Sequence, residues 1–264
     1  MKDMEFMIDL HNHTTRCNHA KGSIDDYIKK AIEQKIKIFG FSDHAPMDFD
    51  QKYRMSFDEM IDYENDVKEA KERYKDSIEI LLGYEVDYLP GFMDERVLKA
   101  DVDYLIGSVH FIDKWGFDNP EFIGKYEGAD IDEIWQDYFN LVRDMAKSKL
   151  FDIVGHLDLI KVFKFLPKRD IKSIASEAMD AIKESKMAIE INASGYRKPI
   201  GESYPSIQLL EMAYEREIPI TFGSDAHDPE HVGLKKDEIH NIAEYIGYKK
   251  IAYFKKREML MVNF

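Results

Sequence analysis

The chain of 264 residues is long enough for one large α/β domain, and its hydrophobic content of 44% is ample for a core. The net charge of -14 argues against a protein that binds duplex nucleic acid, because affinity for the phosphate backbone depends on clustered Lys and Arg. No apolar run has the length of a membrane span, and the single cysteine, Cys17, excludes an internal disulfide framework, so we expect one cytoplasmic domain over residues 1–264.

The first predicted element is a short apolar strand from Phe6 to Leu10, which places His11 and His13 just past its end. Residues two apart on an extended chain point to the same side, so both imidazoles can bind one divalent metal ion. Two histidines do not fill a coordination shell, and this pair alone does not distinguish a metal site from a coincidence. Cys17 follows in the first loop, where we interpret it as a bystander rather than a nucleophile.

Predicted strands and helices alternate along the rest of the chain. After residues 6–10, strands are predicted over 36–42, 78–83, 103–109, 151–155, 187–191, 218–222 and, at the end, 251–254 before a terminal helical turn. One helix is predicted to begin after the N-cap Ser23, a second to begin at a capping box at Ser56–Glu59, and a third to end at about Lys149. Further helices are predicted over 171–185, after Pro205 and over 235–246. The helix after Pro205 is predicted to be mostly buried, including Ile207 and Tyr214. The alternation predicts a parallel sheet that forms a closed or nearly closed barrel with helices outside.

Metal-ligating residue types recur where the predicted strands end. In a parallel barrel the loops at the carboxyl ends of the strands form the active site. Seven of the nine histidines and two carboxylates lie at this rim or in the first loop: His11, His13, His19, His44, Glu85, His110, His156, Asp225 and His227. We therefore predict a metal site there. His231, in a loop, and His240, on the polar side of the last helix and predicted to be solvated, lie elsewhere.

These residues resemble the motifs of the PHP family, named for its polymerase and histidinol phosphatase members, over essentially the full chain. His11, His13 and His19 match the first motif, His44 in Ser-Asp-His the second, Glu85 and His110 the third, and His156 with Asp225 and His227 the fourth. The resemblance implies a distorted (β/α)7-type barrel with three divalent ions, Zn, Fe or Mn, at its rim. It further implies that the first ion is held by His11, His13, Glu85 and Asp225, the second by Glu85, His110 and His156, and the third by His19, His44 and His227.

Other segments are similar to the histidinol-phosphatase branch of this family, among them residues 107–118, 155–161 and 190–199. This similarity implies hydrolysis of a small phosphate monoester, L-histidinol phosphate, by a metal-bridging hydroxide. Arg197 and Lys161 are candidates to hold phosphate oxygens, although surface ion pairs are the alternative for both. Asp225 or His227 is a candidate proton donor to the leaving alkoxide. Asp113, Asp118 and Glu202 are loop carboxylates that suit a cationic leaving group.

Three other functions are compatible with parts of this pattern. A phosphoesterase acting on nucleotides or oligonucleotide ends would need a basic, aromatic-lined groove, which the acidic composition offers little of. A non-catalytic module that binds metal and phosphate would tolerate degenerate ligand positions, whereas every position is retained here. A hydrolase of C–N bonds on a similar barrel usually has a bridging lysine, and no lysine closes a predicted strand. We therefore expect no nucleic-acid or membrane partner.

Overall fold

The structure, a computed structural model, describes residues 7–264, in which seven parallel strands form one sheet in the order β1-β2-β3-β4-β7-β8-β9. These strands are β1 (Ile8–Asp9), β2 (Ile38–His44), β3 (Glu79–Asp87), β4 (Tyr104–Ser108), β7 (Ile153–Val154), β8 (Ala188–Asn192) and β9 (Ile220–Gly223). Two antiparallel hairpins complete the set: β5 (Phe111–Ile112) with β6 (Trp115–Gly116), and β10 (Lys250–Lys255) with β11 (Glu258–Asn263). Phe6, predicted to begin the first strand, lies outside the described residues.

Hydrogen bonds between the first and last strands of the sheet bring its edges together. The Leu10 N–H donates to Phe222 O at 3.0 Å, and beyond it Asn12 and Ala226 form a parallel bridge. The result is the nearly closed parallel α/β barrel that the alternating pattern predicted. All strand carboxyl ends therefore open onto one rim.

The α-helices pack around this barrel. They are α1 (Ile24–Glu33), α2 (Met60–Tyr74), α3 (Glu95–Leu98), α4 (Ile131–Ser148), α5 (Ile171–Ser185), α6 (Ile207–Glu215) and α7 (Lys236–Ile246). Both predicted N-terminal signals are confirmed: Ser23 forms a capping box with Asp26, and Ser56 forms one with Glu59. The second box opens a 3-10 turn that leads into α2. No helix in the described part of the chain is long and apolar enough to cross a bilayer.

A buried tyrosine spans part of the barrel interior. Tyr104, the first residue of β4, is fully buried, and its hydroxyl donates to Leu10 O, just beyond β1, at 2.6 Å. Gly40 and Gly83 make room for this ring, since a Cβ at Gly40 would lie 2.0 Å from the hydroxyl oxygen and one at Gly83 2.7 Å from the ring. The strands can therefore approach closely enough for their ends to share one site.

The C-terminal segment differs from the prediction. The predicted terminal helical turn is wrong: residues 258–263 form β11, which pairs with β10. The turn between these strands contacts the amino-terminal ends of the barrel strands, because the Arg257 N–H donates to Asp103 O at 2.8 Å and its guanidinium binds Asp152. Ile251 and Phe254 join the interior apolar cluster. The hairpin thus covers the end of the barrel opposite the ligand-bearing rim.

The predicted solvent exposure of three residues is wrong. His240 was expected in solvent but is 2% exposed, because the chain end returns over α7 and places Phe264 4.6 Å from the imidazole, between ring centroids. Ile207 and Tyr214 were expected to be buried but are 46% and 45% exposed. They are seven residues apart and therefore lie on one face of α6, opposite the face that buries Leu209, Leu210, Met212 and Ala213.

Candidate metal centre

The carboxyl ends of six strands bring the predicted ligands together. His11 and His13 follow β1, His110 follows β4, His156 follows β7, and Asp225 and His227 follow β9. His44 is the last residue of β2, and the parallel register places it directly beside Glu85 of β3. His19 reaches the site from the first loop, just after its 3-10 turn, Thr15–Cys17. All nine predicted ligand residues therefore lie at one end of the barrel.

Glu85 lies at the centre of this cluster, with 1% of its surface exposed. Its Oε2 lies 2.9 to 3.7 Å from a ring nitrogen of His44, His11 and His13. Its Oε1 lies 2.8 Å from Nε2 of His156 and 3.6 Å from Nε2 of His110. The two oxygens thus face two different groups of imidazoles, which is the arrangement required of a bridging carboxylate.

The third predicted ligand group forms a compact set of three rings on the outer side of the cluster. The ring centroids of His19, His44 and His227 are 4.6 to 5.8 Å apart. Burial lowers the pKa of all three imidazoles, that of His44 to about 4. They are therefore neutral near physiological pH, which is the form that binds metal ions. The Cys17 thiol lies beside them but donates to Thr14 O at 3.1 Å, and burial raises its pKa.

Asp225 joins the first group to the third. Its Oδ1 lies 3.2 Å from Nε2 of His13, 4.0 Å from Nε2 of His11 and 3.5 Å from Nδ1 of His227. Its backbone has a φ of 51°, and that of His156 has a φ of 20°. Positive φ at residues other than glycine stores strain, which persists where the surrounding structure fixes it. Two of the proposed ligands are held in such conformations.

Unpaired nitrogen atoms test whether these residues suit divalent cations. Nε2 of His11, His13 and His227 and Nδ1 of His44 are buried without a hydrogen-bond partner among residues 7–264. His44 Nδ1 lies 2.9 Å from Glu85 Oε2 but is not aligned for a hydrogen bond. Orphaned buried nitrogens are costly unless something binds them, and imidazole nitrogens with carboxylate oxygens are a donor set for Zn, Mn or Fe. The residues present therefore fit a multinuclear metal centre.

A second layer of carboxylates, which sequence reasoning missed, orients three of the imidazoles. Glu190 Oε1 lies 2.8 Å from Nδ1 of His11, Asp87 Oδ1 2.7 Å from Nδ1 of His110, and Asp43 Oδ1 3.4 Å from Nδ1 of His13. A carboxylate at Nδ1 leaves Nε2 free for the metal and raises its basicity. The signal was present in the sequence as acidic residues inside apolar strands, such as Glu190 in Ala188–Asn192.

Glu190 also connects two sides of the barrel. Its second oxygen, Oε2, accepts from the His156 backbone N–H at 2.8 Å and from the Asn192 amide at 3.0 Å. The side chain fits only because Gly223 has no Cβ, which would lie 1.8 Å from Glu190 Oε1. Glu190 thus holds His11 of the first group and the backbone of His156 of the second.

We expect Glu190→Gln to lower metal affinity about 10- to 100-fold without unfolding the protein. An amide has one acceptor oxygen, so either the His11 ring or the His156 N–H would face an NH₂ group. Titration of the stripped protein with buffered Zn²⁺ measures the change. Glu184→Gln, at an exposed position of α5, is the matched control. Equal metal affinity of the two variants would show that Glu190 does not position the ligands.

The two predicted phosphate-binding residues lie in different surroundings. Arg197 Nη2 donates to the backbone oxygens of Ser224 and Asp225, each at 2.8 Å, and its Nη1 is buried without a partner among the described residues. Lys161 is 2% exposed, and its Nζ lies 2.7 Å from Glu202, 2.8 Å from Ser203 O and 3.2 Å from Asp158. Arg197 therefore has a free donor beside the ligand Asp225. A phosphate contact of Lys161 stays a prediction, and it requires the exposed Glu202 carboxylate to move away.

Comparison with known proteins gives one family. Residues 9–194 match the family model described as PHP domain. A Deinococcus radiodurans protein described as "Probable histidinol-phosphatase" is 36% identical over 262 residues, which are 97% of this chain and 99% of that relative. The "Histidinol-phosphatase" of Bacillus subtilis is 28% identical over 254 residues, with coverage of 85% and 95%.

A solved structure shows the same fold. It is the histidinol phosphate phosphatase of Lactococcus lactis subsp. lactis complexed with Zn, L-histidinol and phosphate. Its TM-score is 0.79 at 20% identity, over 96% of this chain and 98% of that one.

Proposed function

The chain belongs to the PHP family, and we propose that it is a metal-dependent phosphomonoesterase that hydrolyses L-histidinol phosphate to L-histidinol and phosphate. The observation that carries the hydrolytic chemistry is the convergence of five imidazoles on the two oxygens of Glu85. The substrate is supported by the Deinococcus radiodurans relative, which is similar over nearly its whole length, and by the ligands of the Lactococcus lactis structure.

The proposed centre holds three divalent ions, Zn, Fe or Mn. The ligand sets are His11, His13, Glu85 and Asp225 for the first ion, Glu85, His110 and His156 for the second, and His19, His44 and His227 for the third. Such ions, when bound, lower the pKa of a coordinated water and offset the charge of phosphate oxygens. Asp225 and His227, whose Oδ1 and Nδ1 are 3.5 Å apart, are the candidates to deliver a proton to the leaving alkoxide.

Arg197 is the proposed phosphate clamp. Two carbonyl oxygens fix its guanidinium beside Asp225, so that Nη1 can donate a charge-assisted hydrogen bond to a substrate oxygen. We expect Arg197→Ala to raise KM, and the inhibition constant of inorganic phosphate, about 10- to 100-fold, because a hydrogen bond between charged groups is lost. Steady-state kinetics with phosphate as inhibitor measure both.

The neighbouring exposed residue provides the control for this variant. Lys198→Ala removes a positive charge one position away and should change neither constant. Metal content should be equal in wild type and both variants. An unchanged KM and inhibition constant in Arg197→Ala would remove Arg197 from the phosphate site.

Phosphate release across a substrate panel tests the proposed function. The panel contains L-histidinol phosphate, mononucleotides, an aryl phosphate and a short single-stranded oligonucleotide with a terminal phosphate. We expect kcat/KM to be highest for L-histidinol phosphate. A profile led by a nucleotide or by the oligonucleotide would support the rival phosphoesterase, and absence of release from every substrate in the metal-loaded protein would support a binding module.

A further inference from the structure

A buried arginine lies in the segment that joins β2 to α2. Arg54 is 4% exposed, although its side chain carries a full positive charge. Its Nη1 donates to Asp87 Oδ2 at 2.8 Å and to Ala45 O at 3.2 Å. Its Nε donates to Asp50 O at 3.0 Å, and its Nη2 lies 3.5 Å from Asp50 Oδ2. Each nitrogen of the guanidinium has a partner, as a buried charge requires, and the side chain is held in one orientation.

On one side Arg54 supports a ligand of the second group. Asp87 accepts from the guanidinium with Oδ2 and holds Nδ1 of His110 with Oδ1, at 2.8 and 2.7 Å. Asp87 is 3% exposed, and within residues 7–264 Arg54 is the one lysine or arginine that pairs with it. A carboxylate held at both oxygens has a fixed orientation, so the orientation of the His110 ring depends on Arg54.

On the other side Arg54 contacts residues next to two ligands of the third group. Its Nη1 reaches the carbonyl of Ala45, which directly follows His44. The Asn18 amide donates to Arg54 O at 2.9 Å. Asn18 ends the 3-10 turn of the first loop with a φ of 66° and directly precedes His19. The position of Arg54 therefore helps to fix the backbone from which both imidazoles project.

The segment that contains Arg54 is also attached to the barrel by apolar contacts. A separate cluster holds residues 47–49 against the loop after β3 and against β5, and its members are Met47, Phe49, Leu89, Phe92 and Phe111. The ring centroids of Phe49 and Phe111 are 5.1 Å apart. These contacts do not involve the guanidinium, so the segment should stay folded when the charge of Arg54 is removed.

Two ligand groups thus share one support. An ion at the second group orients His110, and through Asp87 this orientation fixes the guanidinium of Arg54. The fixed guanidinium holds the backbone beside His44 and His19, so less ordering is left for an ion at the third group to bring about. By reciprocity, the third ion favours the second to the same extent.

We propose that Arg54 is a positioning residue that couples the second ion to the third, so that each binds more tightly when the other is present. This inference rests on the proposed function, whose ligand sets it uses, and it adds cooperative loading of two of the three ions. The first ion is not part of the coupling. In the described part of the chain no hydrogen bond or ion pair joins Arg54 to the other first-group ligands, His11, His13 and Asp225.

The sign of the effect separates positioning from charge. The guanidinium offsets the negative charge of Asp87, so a role through charge alone means that its removal strengthens the binding of a cation at His110. A positioning role means that its removal weakens binding, because the ligands of both groups lose their common support.

The test titrates chelator-stripped protein with buffered Zn²⁺ and measures affinity and cooperativity. We expect wild type to bind one ion independently and two with positive cooperativity. Arg54→Met, of similar length and without charge, should bind the first ion as wild type does and the other two about 10- to 100-fold more weakly, without cooperativity. Arg54→Lys leaves Asp87 paired but lacks the planar fork, so it should also lose cooperativity and tests the coupling if Arg54→Met does not fold.

Arg257→Met is the matched control, because it removes a partly buried arginine from Asp152 at the opposite end of the barrel. It should leave the affinities and the cooperativity unchanged. Tighter binding in Arg54→Met, an equal loss for all three ions, cooperativity retained in Arg54→Lys, or the same loss in the control would overturn the positioning role. Wild type that binds its ions independently but releases phosphate from L-histidinol phosphate would overturn the coupling alone. Wild type that binds no Zn²⁺ and releases no phosphate would overturn the proposed function as well.

Discussion

Replacement of Glu85 by glutamine is expected to lower kcat/KM at least about a thousandfold, since several kcal/mol of charge stabilisation at the metal centre would be lost. Glu85 provides oxygens to both ligand groups, and the amide keeps its size while removing the negative charge and one acceptor. The nearby imidazoles lower the pKa of this carboxyl well below its usual range despite burial, so the wild-type side chain is ionised. Metal analysis of the purified variant should find fewer ions per chain than in wild type.

A glutamate on the same strand provides the control. Glu79 begins β3 at the opposite end of the barrel and pairs with Lys255, so Glu79→Gln should retain full activity and metal content. Circular dichroism should show the same fold for both variants. Normal turnover and metal content in Glu85→Gln would mean that Glu85 does not bridge the ions.

The ligand residues could be predicted from the sequence because each follows its own strand. When strands and helices alternate, parallel pairing brings the carboxyl end of every strand to one rim. The positions of His44 and His156 can therefore be predicted from their own strands, without knowing that the two residues lie close together. The register between β2 and β3 agrees with this argument, because it places His44 directly beside Glu85. The strand boundaries were less accurate: Glu85 was expected to follow β3 and instead lies within it.

The residues that orient the ligands could not be predicted in the same way. Glu190 binds His11 across 179 positions of sequence, and this pairing exists only because the barrel closes β8 and β9 against β1. The solvent exposure of His240 was predicted wrongly for a similar reason. Several of its neighbours in the sequence are polar, but Phe264 at the chain end packs against its imidazole. Periodicity identifies the face of a single element, but contacts between distant elements depend on the closed fold.

The buried carboxylates around the metal centre affect the stability of the folded protein. Glu85, Glu190 and Asp43 are at most 1% exposed, and within residues 7–264 they contact no lysine or arginine. Their partners are histidines and hydrogen-bond donors such as Thr14 and Asn192. A buried carboxylate without a cation is strongly destabilising, so a large part of the compensation is expected to come from bound ions.

Removal of the ions is therefore expected to abolish phosphate release and to lower Tm. An ion present at a thousand times its Kd stabilises the folded state by about 4 kcal/mol, which corresponds to roughly 10 °C for a chain of this size. Activity and calorimetry on chelator-stripped protein, before and after addition of Zn²⁺ or Mn²⁺, measure both effects. Glu85→Gln should recover less of the shift in Tm than Glu79→Gln does. Full activity in the stripped protein would contradict the metal mechanism, and an unchanged Tm would mean that the buried carboxylates are compensated by the histidines alone.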